Sequence, residues 1–205
     1  MQTGAQVKAI GQTATGLVVT VTQANGEEQQ LAADFVLVST GVRPNAELAK
    51  AAGLRLGETR AIWVNQQMQT SDPDIYAAGD CVEHYHLVLE QNAWIPLATS
   101  ANKGGRIAGE NIVGEKSHLP GILGTAIVKV FDYTLAVTGL TESQAKTSGK
   151  FGAAGEDVGS AVITSNDKAG YWPDVAKLKV KLVFEKSSGR VLGGQLVGKA
   201  GVNKR

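Results

Sequence analysis

The run Asp34-Phe35-Val36-Leu37-Val38-Ser39-Thr40-Gly41 constrains the fold more than any other stretch of this chain. It is continuously apolar rather than alternating, the pattern of a strand buried on both faces of a covered sheet. It ends at Gly41, and Pro44 prevents a simple continuation. A second small-residue run, Ile75-Tyr76-Ala77-Ala78, follows the polar turn Thr70-Ser71-Asp72-Pro73-Asp74 and also stops at a glycine, Gly79, with Asp80 next. Both predict strands whose carboxyl ends lie at the edge of an α/β sheet, where ligands bind.

Around these runs the hydrophobic period changes twice. Gln6 to Gln30 reads as a β-meander, with Val7, Ile10, Leu17, Val19 and Val21 spaced for strands and Asn25-Gly26 as a hairpin turn. Glu47 to Ala52 reads as a short helix closed by Gly53, and Ala61 to Val64 as a strand. From Thr99 to Val113, Ala101, Gly105, Ala108 and Ile112 recur at helical spacing, and Gly114 ends the pattern. Glu115 to Gly124, containing Pro120, reads as a domain boundary. Beyond it the period becomes two: Thr125 to Val130, Thr134 to Thr138, Ser160 to Thr164, Leu178 to Phe184 and Val191 to Val197 read as strands, the last two joined by Lys186-Ser187-Ser188-Gly189. Thr141-Glu142-Ser143-Gln144 starts a helix with a capping box. The fold class is therefore α/β followed by α+β.

Composition removes several function classes. With 20 basic and 19 acidic residues there is no excess for a nucleic-acid arm or a polybasic membrane patch. No apolar run approaches the roughly 18 residues of a membrane span, and Met1-Gln2-Thr3-Gly4 opens no signal peptide, so a cytoplasmic location is expected. The single cysteine, Cys81, excludes an internal disulfide and any CxxC motif. Having no basic partner at nearby spacing, it is expected to be a buried, inert thiol.

The residues alone leave some roles open. Asp80 could accept hydrogen bonds from sugar-type hydroxyls or cap a helix. His84 and His86 share a strand face, with Glu83 and Glu90 as the nearest oxygen ligands; two imidazoles make a poor metal site, and a surface loop without metal is expected. The aromatic pair in Gly170-Tyr171-Trp172-Pro173 could pack beneath a loop or serve a site.

The order of the motifs narrows these choices. STGVRPN and TSDPDIYAAGD, followed by WIPLATSANKGGRIAGENIVG, GTAIVKVFDYTLAVTGLTESQAK, AGYWP and GRVLGGQLVGKAGVNKR, resembles the FAD-dependent pyridine nucleotide-disulfide oxidoreductases. The similarity is to the branch holding coenzyme A-disulfide reductases and NADH oxidases or peroxidases, and it covers nearly the whole chain. The resemblance implies that residues 1 to 33 are the terminal β-meander of an NAD(P)H domain. Residues 34 to 116 would be the returning half of an FAD-binding Rossmann-like domain, and 117 to 205 most of an α+β dimerisation domain. It implies FAD contacts at Thr40, Gly41, Gly79 and Asp80, and a helix start at Pro96, Leu97 and Ala98 facing the flavin pyrimidine edge. Tyr171 would act in the partner subunit's site, although Trp172 replaces a tyrosine common in relatives and Asn203 an acidic residue. The complete parent would be a homodimer passing electrons from NAD(P)H through FAD to a cysteine-centred acceptor: coenzyme A disulfide, peroxide or oxygen.

The chain contains no GxGxxG after an opening strand, and the branch's redox cysteine lies outside it. The 205-residue chain alone is therefore expected to be inactive and not to hold FAD tightly. A non-catalytic dimerisation or interaction module is the alternative.

Overall fold

The computed structural model describes residues 2–204, so Met1 and Arg205, which end the opening and closing motifs, lie outside the described residues. The chain divides into two compact units, one ending at Arg43 and the other beginning at Pro44.

In the first unit, β1 (Gln6–Thr13), β2 (Gly16–Thr22) and β3 (Glu28–Ala33) form an antiparallel meander in that order. Its second turn closes through Gly26 N donating to Gln23 O at 2.9 Å, and the Asn25 side chain accepts from Glu27 N at 3.1 Å. The run predicted as a doubly buried strand departs from expectation. Residues 35–43 form no strand, and Phe35 and Leu37 are 75% and 77% exposed. A strand exists only as half of a ladder, and no described residue offers this run its backbone partners.

The second unit holds two cores. Helix α1 (Glu47–Ala51) is followed by Gly53 as expected, and Ala46 and Ala49 join Ile62, Val64, Met68, Val82, Ile107 and Ala108 in the first core. The segments 61–64 and 75–78, predicted as strands, pair only through single bridges: Ile62 with Leu56 and Val82, and Tyr76 with Gln69. The intervening chain is organised by side-chain turns instead. Asn65 Oδ1 accepts from Gln67 N and Gln69 N at 2.9 and 3.1 Å, and Thr70 Oγ1 accepts from Asp72 N at 3.1 Å.

Next comes a short hairpin, β4 (His84–His86) and β5 (Gln91–Ala93), and then α2 (Ala98–Ile112). Asn111 secures the end of α2, its amide donating to Ile107 O, Gln67 O and Ser117 O at 2.9, 3.1 and 2.8 Å while Ser117 N donates back at 3.1 Å. The segment 115–124 is stitched to its surroundings, with Leu119 N on Gln66 O and Ile122 N on Tyr85 O, both 2.8 Å.

The remaining chain forms a five-stranded antiparallel sheet in the order β6 (Ala126–Val130), β7 (Tyr133–Gly139), β10 (Val191–Gly198), β9 (Lys177–Glu185) and β8 (Val158–Asn166), each near its predicted place. Helix α3 (Glu142–Thr147) begins with the expected capping box: the Thr141 hydroxyl accepts from Gln144 N, and the Gln144 side chain accepts from Thr141 N. Leu140, Ala145, Phe151, Val158, Val183 and Leu192 form the second core, which also takes in Val88 from the hairpin. Glu142 binds Lys146 and Lys181 at 2.6 Å each, contacts that lower its carboxyl pKa to about 2.

Two substitutions calibrate this packing. Leu192→Ala, in a fully buried position, is expected to cost about 2–5 kcal/mol of unfolding free energy in urea. Thr141→Ala, which removes only the cap, is expected to cost about 1 kcal/mol. Equal losses would contradict this account of the second core.

Candidate functional site

The strongest sequence motif ends in a turn whose shape depends on glycine. Gly79 has φ +99°, a left-handed conformation, and the space a Cβ would occupy is open. Asp80 follows with an exposed carboxylate that has no hydrogen-bond partner among the described residues, while its backbone carbonyl accepts from Trp94 Nε1 at 2.7 Å. Trp94 leads through Ile95 and Pro96 into α2, so this bond ties the Gly79-Asp80 turn to the start of that helix. Nothing in the sequence pattern singles out Trp94; the contact spans two non-adjacent loops.

The amino end of α2 is bare. Leu97 is extended, and no side chain caps the helix. Ser100 N and Ala101 N both bond Leu97 O at 3.0 Å, leaving the amides of Ala98 and Thr99 without intrahelical partners. No acidic side chain occupies the first turn, so the partial positive charge of a 15-residue helix is uncompensated there. Behind this end, Gly104 admits close packing: a Cβ would lie 3.2 Å from both His84 Cε1 and Met68 Sδ.

That contact corrects the expectation for the histidines. His84 and His86 are 3% and 1% exposed, not on a surface loop. The reason is long-range pairing, because His86 bridges to Ile122 and draws the hairpin under the connecting segment. Both His84 ring nitrogens lack hydrogen-bond partners among the described residues, and the residue borders a cavity of about 200 Å³ also lined by Trp63, Asn65, Tyr85 and Asn92. Burial pushes both imidazole pKa values below their usual range. Glu83 is buried as well, its carboxylate accepting from Thr59 N at 3.1 Å and Thr59 Oγ1 at 2.6 Å. Among the described residues, no group of three or more His, Cys, Asp or Glu side chains could hold a metal ion.

The remaining candidates separate. Thr40 and Gly41 are exposed in the first unit, Gly41 with φ +96°. Cys81 is half-buried rather than fully enclosed as expected, its thiol 3.5 Å from Ala78 O and its pKa pushed up chiefly by burial. Tyr171 lies in the β8–β9 connection, 86% exposed, with its ring centroid 6.2 Å from that of Trp172. The pair is not packed beneath a loop.

Comparisons with known proteins match the chain in two stretches. The family model described as pyridine nucleotide-disulphide oxidoreductase matches residues 1–105, and that family's dimerisation-domain model matches residues 125–203. An NAD(P)H sulfur oxidoreductase (CoA-dependent) of Pyrococcus furiosus is 45% identical over 166 residues, 81% of this chain and 36% of that protein. Among solved structures, an NAD-dependent persulfide reductase from A. fulgidus is 43% identical with a TM-score of 0.87, over 98% of this chain and 36% of that one. A water-forming NADH oxidase from Lactobacillus brevis bound to NADH is 29% identical with a TM-score of 0.87, over 98% of this chain and 42% of that one. The chain thus spans well under half the length of each of these relatives.

The buried histidines give a pH test. Their folded pKa values lie below the usual 6.5, so the unfolded chain binds more protons and stability is lost as pH falls from 6.5 toward those values. Glu90, Glu142 and Glu156 are lowered from 4.5, so their contributions fade only in more acidic solution. Urea midpoints should therefore drop between about pH 7.5 and 5.5, and His84→Gln should flatten part of that slope. A flat wild-type profile would contradict the burial of neutral histidine.

Proposed function

Because the chain belongs to the pyridine nucleotide-disulphide oxidoreductase family, we propose that it is the carboxyl-terminal portion of a homodimeric flavoprotein that takes electrons from NAD(P)H. In this reading residues 1–33 complete an NAD(P)H domain, 34–116 return to the FAD domain, and 117–205 form most of the dimerisation domain. The observation that carries it is the pairing of a free Asp80 carboxylate with a bare α2 amino end, joined through Trp94.

These groups fit part of FAD. The Asp80 carboxylate would accept hydrogen bonds from ribityl hydroxyls, and the open space over Gly79 lets the backbone approach the chain of the ligand. Pro96 and Leu97 set the entry to α2, and the amides of Ala98 and Thr99 would face the flavin pyrimidine edge, where negative charge is stabilised by the helix end. By the family resemblance, Thr40 and Gly41 would also contact FAD. Bound FAD would supply the electron-transfer chemistry itself. Tyr171, held out on an exposed connection, would donate its phenol to the acceptor site of the partner subunit. The redox cysteine would come from outside these residues, since burial raises the Cys81 pKa and disfavours its thiolate. The acceptor is coenzyme A disulfide, peroxide or oxygen; the sulfur and persulfide reductases among the relatives support the sulfur-containing choice.

For the chain by itself, a non-catalytic dimerisation module is a second reading. Val128, Val162, Ile163 and Leu182 are exposed on the five-stranded sheet, and such apolar area invites association.

FAD binding, followed by fluorescence, tests the flavoprotein reading. The 205-residue chain is expected to bind FAD at micromolar affinity or weaker, because the pyrophosphate lacks the glycine-rich loop whose charge-assisted bonds contribute roughly 1.5–3 kcal/mol each. In the complete protein Asp80→Ala should lower flavin content. Nanomolar binding by the chain, or full flavin retention in that variant, would refute the assignment.

A further inference from the structure

We propose that Arg190 is a positioning residue: with Glu90 and Lys150 it clamps the tip of the β4–β5 hairpin onto the antiparallel-sheet half of the molecule, and through the hairpin sets where the α2 amino end stands relative to that half. Its consequence for turnover rests on the flavoprotein reading above.

The tip, residues 87–90, is gripped from two places distant in sequence. Arg190, beyond the β9–β10 turn, donates to Glu90 Oε1 at 3.0 Å and to Leu87 O at 3.2 Å. Lys150, beyond α3, reaches Glu90 Oε2 at 2.6 Å and Leu89 O at 3.2 Å. Each cation thus holds one carboxylate oxygen and one backbone carbonyl, which fixes the tip in direction as well as distance. The tip is shaped to receive them. Glu90 has φ +55°, the left-handed region that side-chain-bearing residues avoid, and its amide bonds His86 O at 2.7 Å. His86 Nδ1 accepts from Val88 N and Leu89 N at 3.1 and 3.2 Å, turning Val88 into the second core. At the hairpin's other end, His84 lies against Gly104 of α2. One short element therefore touches both cores, with charge at one end and the helix that bears the site at the other.

Exposed ion pairs contribute little to stability, and all three side chains are partly exposed. The clamp's effect is accordingly on geometry. Small displacements of reacting groups are costly, about 1 Å being able to slow a reaction on the order of a hundredfold. A tilt of the hairpin would shift the α2 end against the half that carries Tyr171.

The test uses Arg190→Ala, Glu90→Gln, their double variant and Arg190→Lys in the complete protein. The acceptor is whichever of coenzyme A disulfide, peroxide and oxygen the wild type reduces fastest. Flavin content, melting temperature and the rate at which NAD(P)H bleaches the flavin are expected to stay near wild type. The kcat for the acceptor is expected to fall about threefold to tenfold with KM little changed. The double variant should be no worse than either single one, and lysine should restore only part, since it lacks the planar fork whose two nitrogens reach Glu90 Oε1 and Leu87 O separately. Amide hydrogen exchange at Val88 and Leu89, read without flavin, should quicken in Arg190→Ala. Unchanged exchange there, or unchanged acceptor turnover in both single variants of a working flavoenzyme, would overturn the proposal. A wild type that takes up no flavin would instead overturn the functional reading, and the exchange measurement would still decide the clamp.

Discussion

Helix α2 is held from behind and left open in front, and whatever this molecule can bind at that end depends on this asymmetry. Ile107 and Ala108 bury one face in the first core, Gly104 lets His84 and Met68 approach, and the Asn111 amide fastens the far end to the carbonyls of Gln67 and Ser117. With so much of its surface committed, the helix cannot rotate to hide its first amides. Among the described residues they remain unpaired, beside a turn whose aspartate carboxylate has no hydrogen-bond partner. Unpaired amides at a helix start and a free carboxylate are complementary to a ligand with one electron-rich edge and a run of hydroxyls.

The buried hairpin explains how that helix is connected to the rest. Its strands are only three residues each, too short to be stable alone. It persists because Ile122 extends it on one side and the second core accepts Val88. The cost is visible in His84, a polar ring enclosed without partners among the described residues, whose charged form burial disfavours.

Much of this was legible in local sequence, and the reason is that local physics decided it. The capping box at Thr141, the helical spacing from Thr99 and the alternating strands beyond Gly124 each depend on residues a few positions apart, and all appear close to where they are read. The failures share a cause of the opposite kind. Residues 35–43 have strand composition but no partner among the described residues, and 61–64 and 75–78 find only one bridge partner or two. Burial of His84 and His86 depends on Ile122, and the joining of Asp80 to α2 depends on Trp94; neither pairing leaves a periodic trace. Among the candidate residues, motif order singles out Gly79, Asp80 and the α2 start, but not the bond that joins them.

The central claim is that the α2 amino end and the Gly79-Asp80 turn meet one flavin. Amide hydrogen exchange in the complete protein, compared before and after flavin reconstitution, tests it most directly. The account expects the amides of Ala98 and Thr99, together with those of the Gly79-Asp80 turn, to become protected when flavin is bound, and the sheet strands to change little. Flavin binding at full occupancy with unchanged exchange at those four positions would contradict it.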